Sequence, residues 1–130
     1  MKMNRKIRIL MVEDVFSDAE LVKHELSKAG ILFSSRCVYT KASFIKEIKE
    51  FAPDIILSDY SLPQFDGMAV IKLTKELASS IPIIMVTGPT NEEIAVECMK
   101  EGAVDYILKD RLARLGSAVI NALNKKELEQ

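Results

Sequence analysis

Three acids stand where short apolar runs stop: Glu13 and Asp14 after IRILMV (7–12), and Asp59 at the end of DIILSD (54–59). Two other polar groups hold the same kind of position, Thr87 at the end of IPIIMVT (81–87) and Lys109 after VDYIL (104–108). A strand end that only has to stop can use Gly, Asn or Ser, so the adjacent carboxylates that close ILMVED need another reason. Two unit charges about 4 Å apart repel by roughly 4 kcal/mol at an effective dielectric near 20, and three gathered carboxylates therefore require a cation. Mg2+ suits them. It takes octahedral oxygen ligands, keeps several waters, and is commonly held by one or two carboxylates plus phosphate oxygens, which matches an Asp14 and Asp59 pair with Glu13 acting directly or through water. Taken alone, Glu13-Asp14 would read as a polar loop with Asp14 capping a helix. The five residues together favour the metal.

The elements that must carry these side chains follow from periodicity. Short β-rich apolar runs alternate with longer stretches of helical period, the pattern of βα units in a parallel sheet. The runs at 7–12, 54–59 and 81–87 are nearly continuously apolar, as central strands covered on both faces require, whereas SSRCVY (34–39) and 104–108 suit flanking or edge strands. Ser17 and Glu20 have capping-box spacing ahead of Val22, Leu26 and Ala29, with Gly30 as terminator. Thr40 caps a second helix with Phe44, Ile48 and Phe51 on one face, ended by Pro53; Gly67 opens a third that runs to about Ala78. Asn91 precedes Glu92 and Glu93, anions favoured at a helix N-terminus, and Gly102 closes that fourth helix. Leu112, Leu115, Val119 and Leu123 mark a fifth, with Asp110 as its expected cap and NKKELEQ as a solvated end. In such open sheets the C-terminal strand ends share one edge, where the ligand crevice forms. Five separate segments then deliver three carboxylates, a hydroxyl and an ammonium to one pocket.

Composition narrows the function classes. With 130 residues, 48% of them hydrophobic, the chain fits one compact domain spanning 1–130. Its 18 basic and 19 acidic residues leave a formal net charge of -1, so no basic field points to direct nucleic-acid binding. Neither the N-terminal apolar run, which is short and contains Arg8, nor IPIIMV reads as a signal peptide or membrane span, and the chain is expected to be soluble and cytoplasmic. Cys37 and Cys98 lack metal or disulfide spacing and read as reduced core-type thiols, and His24, the one histidine, as a mid-helix surface residue.

MVEDV, LSDYSLPQFDG, VTG and GAVDYILK, read together, resemble the receiver domains of two-component response regulators, the chemotaxis-regulator-like family, over essentially the whole chain. The resemblance implies a flavodoxin-like three-layer α/β/α fold with a five-stranded parallel sheet in order 2-1-3-4-5. It implies that Asp59 accepts a phosphoryl group from the phosphohistidine of a sensor histidine kinase or histidine phosphotransfer protein. It further implies that Glu13, Asp14, Asp59 and the backbone carbonyl of Ser61 hold Mg2+, and that Thr87 and Lys109 contact the phosphoryl oxygens. Thr87 and Tyr106 become the switch pair, altering a surface made by the fourth helix, fifth strand and fifth helix that would face an output partner, an attached domain or a second copy in a homodimer. One departure stands out: Asp110 follows Lys109 where the family commonly has Pro with a cis bond, so that turn is expected to be built differently. LKDRLARLG is similar to receivers found beside sensory modules rather than DNA-binding ones.

Other classes fit the residues less well. A flavodoxin-type flavin carrier needs a hydroxyl- and glycine-rich phosphate loop after the first strand, where EDVFSD would repel phosphate. A haloacid-dehalogenase-type phosphatase needs a second Asp two residues after the first, and Phe16 stands there. A phosphorylation-independent receiver-like interaction module is the nearest rival. It would lose acceptor, metal or lysine positions, all of which are kept.

Overall fold

Strand and helix periods alternate in the sequence, and the chain folds accordingly. The computed structural model describes residues 5–89 and 92–128. Its elements are β1 (Ile7–Val12), α1 (Phe16–Lys28), β2 (Phe33–Val38), α2 (Lys41–Glu50), β3 (Ile55–Ser58), α3 (Gly67–Leu77), β4 (Ile83–Thr87), α4 (Glu92–Glu101) and β5 (Asp105–Leu108). A 3-10 turn at Leu112–Arg114 then leads into α5 (Leu115–Leu128). All strand pairs are parallel, in the order β2-β1-β3-β4-β5.

Successive strand residues point to opposite faces, so β1 supplies two cores at once. Ile7, Ile9 and Met11 pack with Ala19, Val22 and Leu26 of α1 and with Leu115, Val119 and Leu123 of α5. Leu10 and Val12 pack with Phe44 and Ile48 of α2, Val70 and Ile71 of α3, and Cys98 of α4. Two helical layers thus cover the sheet, which is why β1, β3 and β4 had to be apolar at nearly every position. Cutting a fully buried residue such as Ile9 or Leu10 back to Ala should cost about 2–5 kcal/mol. β2 and β5, the edges, are only partly buried.

Helix ends follow the expected signals in part. Thr40 caps α2 by accepting the Ser43 N–H at 3.2 Å, and Asp66 caps α3 by accepting that of Ala69 at 3.0 Å. α4 ends at Gly102, whose φ of +130° few side chains tolerate. Ser17 and Glu20 do not form the expected capping box. Val15 is the N-cap of α1 and has no side-chain acceptor to cap with; its N–H is bound by Glu13 Oε2 at 3.1 Å, and the helix starts early enough to place Ser17 inside the first turn. Glu20 pairs with Lys23 instead, at 3.0 Å. Asp110 does not cap α5 either. The Arg111 N–H closes a turn on the Leu108 carbonyl at 2.9 Å and the 3-10 turn intervenes, leaving Asp110 exposed. Asn91 lies outside the described residues. Cys98 is buried as expected, but Cys37 is exposed, since edge strand β2 turns it away from the core.

The strand order has a reversal that matters for function. β1 is flanked by β2 on one side and β3 on the other, so the connections leaving β1 and β2 run in opposite directions. Open α/β sheets bind ligands at such a reversal, outside the C-terminal ends of the strands, here β1 and β3.

Candidate functional site

Backbone pairing carries each site residue to that edge. The Glu13 N–H donates to the Val38 carbonyl, that of Asp59 to Val12 and that of Lys109 to Thr87, at 2.9, 2.9 and 2.8 Å, so the ladder continues one residue past β1, β3 and β5. Asp59 therefore follows β3 rather than ending it. Just beyond, Gly67 lets the start of α3 lie against the loop that follows Asp59, donating its N–H to the Tyr60 carbonyl at 2.9 Å. A Cβ there would meet the Met85 methyl group and come within 2.8 Å of Tyr60 Cα and 3.0 Å of the Asp59 carbonyl oxygen.

Glu13, Asp14 and Asp59 each offer a carboxylate oxygen within 4.8 Å of the others, a group that could hold a metal ion. Glu13 and Asp59 are buried, while Asp14 faces solvent. Thr87, also buried, donates its hydroxyl to Asp59 Oδ1 at 2.6 Å, and the Ser61 N–H reaches the same oxygen at 3.4 Å. Lys109 Nζ lies 2.7 Å from Glu13 Oε1, 2.7 Å from Asp18 Oδ2 and 3.3 Å from Asp59 Oδ2. All five polar residues singled out at strand ends are thus brought together.

Charge explains the arrangement. Glu13, Asp14, Asp18 and Asp59 carry four negative charges when ionised, and Lys109 supplies one positive charge against them. Burial alone would lower the Lys109 pKa, but the Asp18, Glu13 and Asp59 carboxylates outweigh it and hold the ammonium above the ordinary lysine range. Burial raises the Glu13 pKa, a shift that the Lys109 and Val15 hydrogen bonds only partly offset. The excess of negative charge and the oxygen-only donor set suit a hard divalent cation. The buried acids and the ammonium are placed to neutralise charge on an anionic group brought against a carboxylate.

Two residues need separate mention. Tyr106 lies on β5 beside Met85 in the register, is half-buried and packs against the core on the α2, α3 and α4 face. Asp18, in the first turn of α1, was not anticipated. A helix that starts at Phe16 has Asp18 in its first turn, next to the loop that leaves β1, a signal present in the sequence once that start is known. The Lys109-Asp110 turn is also built without the family's usual proline geometry: no peptide among the described residues is cis, yet Lys109 still reaches the carboxylates.

Known proteins share both this sequence pattern and this fold. The model of the response regulator receiver domain matches residues 9–120. Regulatory protein LuxO of Vibrio cholerae is 37% identical over 116 residues, covering 88% of this chain and 25% of that protein. Transcriptional regulatory protein ZraR of Salmonella typhimurium is 33% identical over 104 residues, covering 80% of this chain and 23% of that protein. The chain thus spans about a quarter of the length of these curated relatives. A response regulator receiver domain protein from Clostridium thermocellum, solved by crystallography, superposes with a TM-score of 0.83 at 25% identity, over 95% of this chain and 99% of that one. Fold, family model and relatives agree: the chain belongs to the response regulator receiver domain family, a family of signalling domains.

Proposed function

We propose that this chain is a phosphorylatable switch, with Asp59 accepting a phosphoryl group from the phosphohistidine of a sensor histidine kinase or histidine phosphotransfer protein. The observation that carries this reading is the convergence on one carboxylate, Asp59, of the Thr87 hydroxyl, the Lys109 ammonium and the neighbouring acids. Glu13, Asp14, Asp59 and the Ser61 backbone carbonyl would hold Mg2+, which when bound screens the charge of the incoming phosphoryl group. An Asp59 carboxylate oxygen forms the new O–P bond, while the P–N bond of the donor breaks and leaves its electron pair on the imidazole nitrogen. Lys109 and Thr87 donate to phosphoryl oxygens as negative charge redistributes during transfer. No turnover chemistry is required of the chain beyond its own phosphorylation and slow hydrolysis. Its output is a conformational change in which Thr87 follows the phosphoryl group and Tyr106 adjusts behind it, altering the surface of α4, β5 and α5 presented to an output domain, a partner or a second copy. The contacts of Lys109 with Glu13 and Asp59 support this reading over an interaction module that does without phosphorylation. Incubation with a small-molecule phosphodonor and Mg2+ should add one phosphoryl mass to the wild type and none to Asp59→Asn. A wild type that gains no mass contradicts the reading.

A further inference from the structure

Lys109 is held by three carboxylates, and they are not equivalent. Glu13 and Asp59 belong to the group that could bind a metal ion, whereas Asp18 does not. Asp18 also sits on a different kind of support. It belongs to the first turn of α1, a helix fastened to the core by Ala19, Val22 and Leu26, while Glu13 and Asp59 sit just past strand ends. An ammonium has three N–H donors and no acceptor. Once Glu13 and Asp59 are engaged elsewhere, the Lys109 side chain would have a long flexible stem, a newly built turn at Asp110 behind it and one remaining carboxylate.

We infer that Asp18 is the positioning residue for Lys109, anchoring one N–H of its ammonium so that the other two stay aimed at phosphoryl oxygens on Asp59. This inference rests on the phosphorylation reading of Asp59. The anchor need not compete with the phosphoryl group, because the donors suffice for both. Its 2.7 Å length equals that of the Glu13 contact and is shorter than the 3.3 Å to Asp59, and the pair is only partly open to water, with side-chain exposures of 18% for Lys109 and 31% for Asp18. Such a pair orients more than it stabilises. Holding a charged group within reach of the reacting atoms lowers the entropic cost of each transfer. Asp18 has a competing, purely structural use, since an acid in the first turn also favours the helix macrodipole.

The two uses separate in a set of variants assayed for initial phosphorylation rate with acetyl phosphate and Mg2+, and for affinity toward beryllium fluoride, a phosphoryl mimic. Asp18→Ala should lower both by about three- to tenfold, the range of a partly exposed but geometrically constrained charge contact. Ser17→Asp combined with Asp18→Ala restores an acid to the same turn of α1, and should recover thermal stability but neither readout. Asp18→Asn, which keeps an oxygen acceptor, should recover part of both. In a Lys109→Ala background, Asp18→Ala should have no further effect. Unchanged rate and affinity in Asp18→Ala, full recovery in the Ser17→Asp double variant, or an undiminished effect without Lys109 would overturn the positioning role while leaving Asp59 phosphorylation intact. A wild type that takes neither phosphoryl group nor mimic overturns the underlying reading, and this one with it.

Discussion

Thr87 Oγ1 donates a 2.6 Å hydrogen bond to Asp59 Oδ1. In the proposed switch the Thr87 hydroxyl starts from contact with Asp59, and a phosphoryl group can bias its position only by the difference in contact energy between two arrangements. Typical coupling between two sites amounts to about 1–3 kcal/mol, which sets the scale of the shift. With 3-fluorotyrosine incorporated and the Tyr106 signal identified by its loss in Tyr106→Phe, beryllium fluoride should move that signal toward one limiting position. Thr87→Ala should blunt the movement. A Tyr106 signal unchanged by the mimic contradicts the switch.

Gly67 is the residue whose enlargement should most directly disturb the loop after Asp59. Met85 can move its methyl group aside, but Tyr60 Cα, 2.8 Å from where a Cβ would be, belongs to the backbone. Gly67→Ala should destabilise the fold by about 1–3 kcal/mol, the usual cost of overpacking, despite the better helix propensity of Ala. Urea unfolding checks this; a midpoint equal to or above that of the wild type would show that the loop yields freely.

Metal affinity should depend on Asp14 more than on Glu13. Glu13 already spends Oε1 on Lys109 and Oε2 on the Val15 N–H, while Asp14 is open to solvent. Asp14→Ala should weaken Mg2+ binding by more than about tenfold, since loss of even an outer partner of a metal site commonly costs that much. Glu13→Gln should cost less. Titration of both variants gives the order, and tight binding by Asp14→Ala would move the site elsewhere.

Much of this is legible in the sequence. Strand ends could be read because apolar runs stop abruptly, and the parallel-sheet rule then placed Glu13, Asp14, Asp59, Thr87 and Lys109 on one edge, where the structure also has them. Asp18 escaped because it is visible as a site residue only if α1 starts at Phe16. Ser17 and Glu20 mimic a capping box and pushed that start later. The start goes with a contact only two residues long, the Glu13 carboxylate accepting the Val15 N–H, which helix-capping patterns based on Ser, Thr, Asp or Asn do not register. Asp110 misled in the same way: the 3-10 turn before α5 depends on Arg114, whose guanidinium spans Asp105 and the Tyr106 carbonyl.

That Arg114 contact has a pH signature. Burial would raise the Asp105 pKa, but the paired hydrogen bonds from Arg114, 2.9 and 3.0 Å long, and the Tyr106 N–H hold it below its ordinary value of 3.8. A carboxylate with a lowered folded-state pKa contributes stability that is full above its unfolded value and disappears as pH falls through the folded one. Asp105→Asn should therefore be less stable than wild type by about 0.5–1 kcal/mol at pH 6, modest because Arg114 is largely exposed. The difference should narrow steadily below pH 4. Chemical unfolding at several pH values tests it, and a gap that widens on acidification has the wrong sign.

Asp59 as the single phosphoryl acceptor is most directly tested by locating the modification. After reaction with acetyl phosphate and Mg2+, reduction of the acyl phosphate with borohydride and peptide mass mapping should find the reduced residue at position 59 alone, with Asp59→Asn unmodified throughout. Label at Asp14, Asp18 or Asp66, or an Asp59→Asn protein that is still modified, would contradict the assignment.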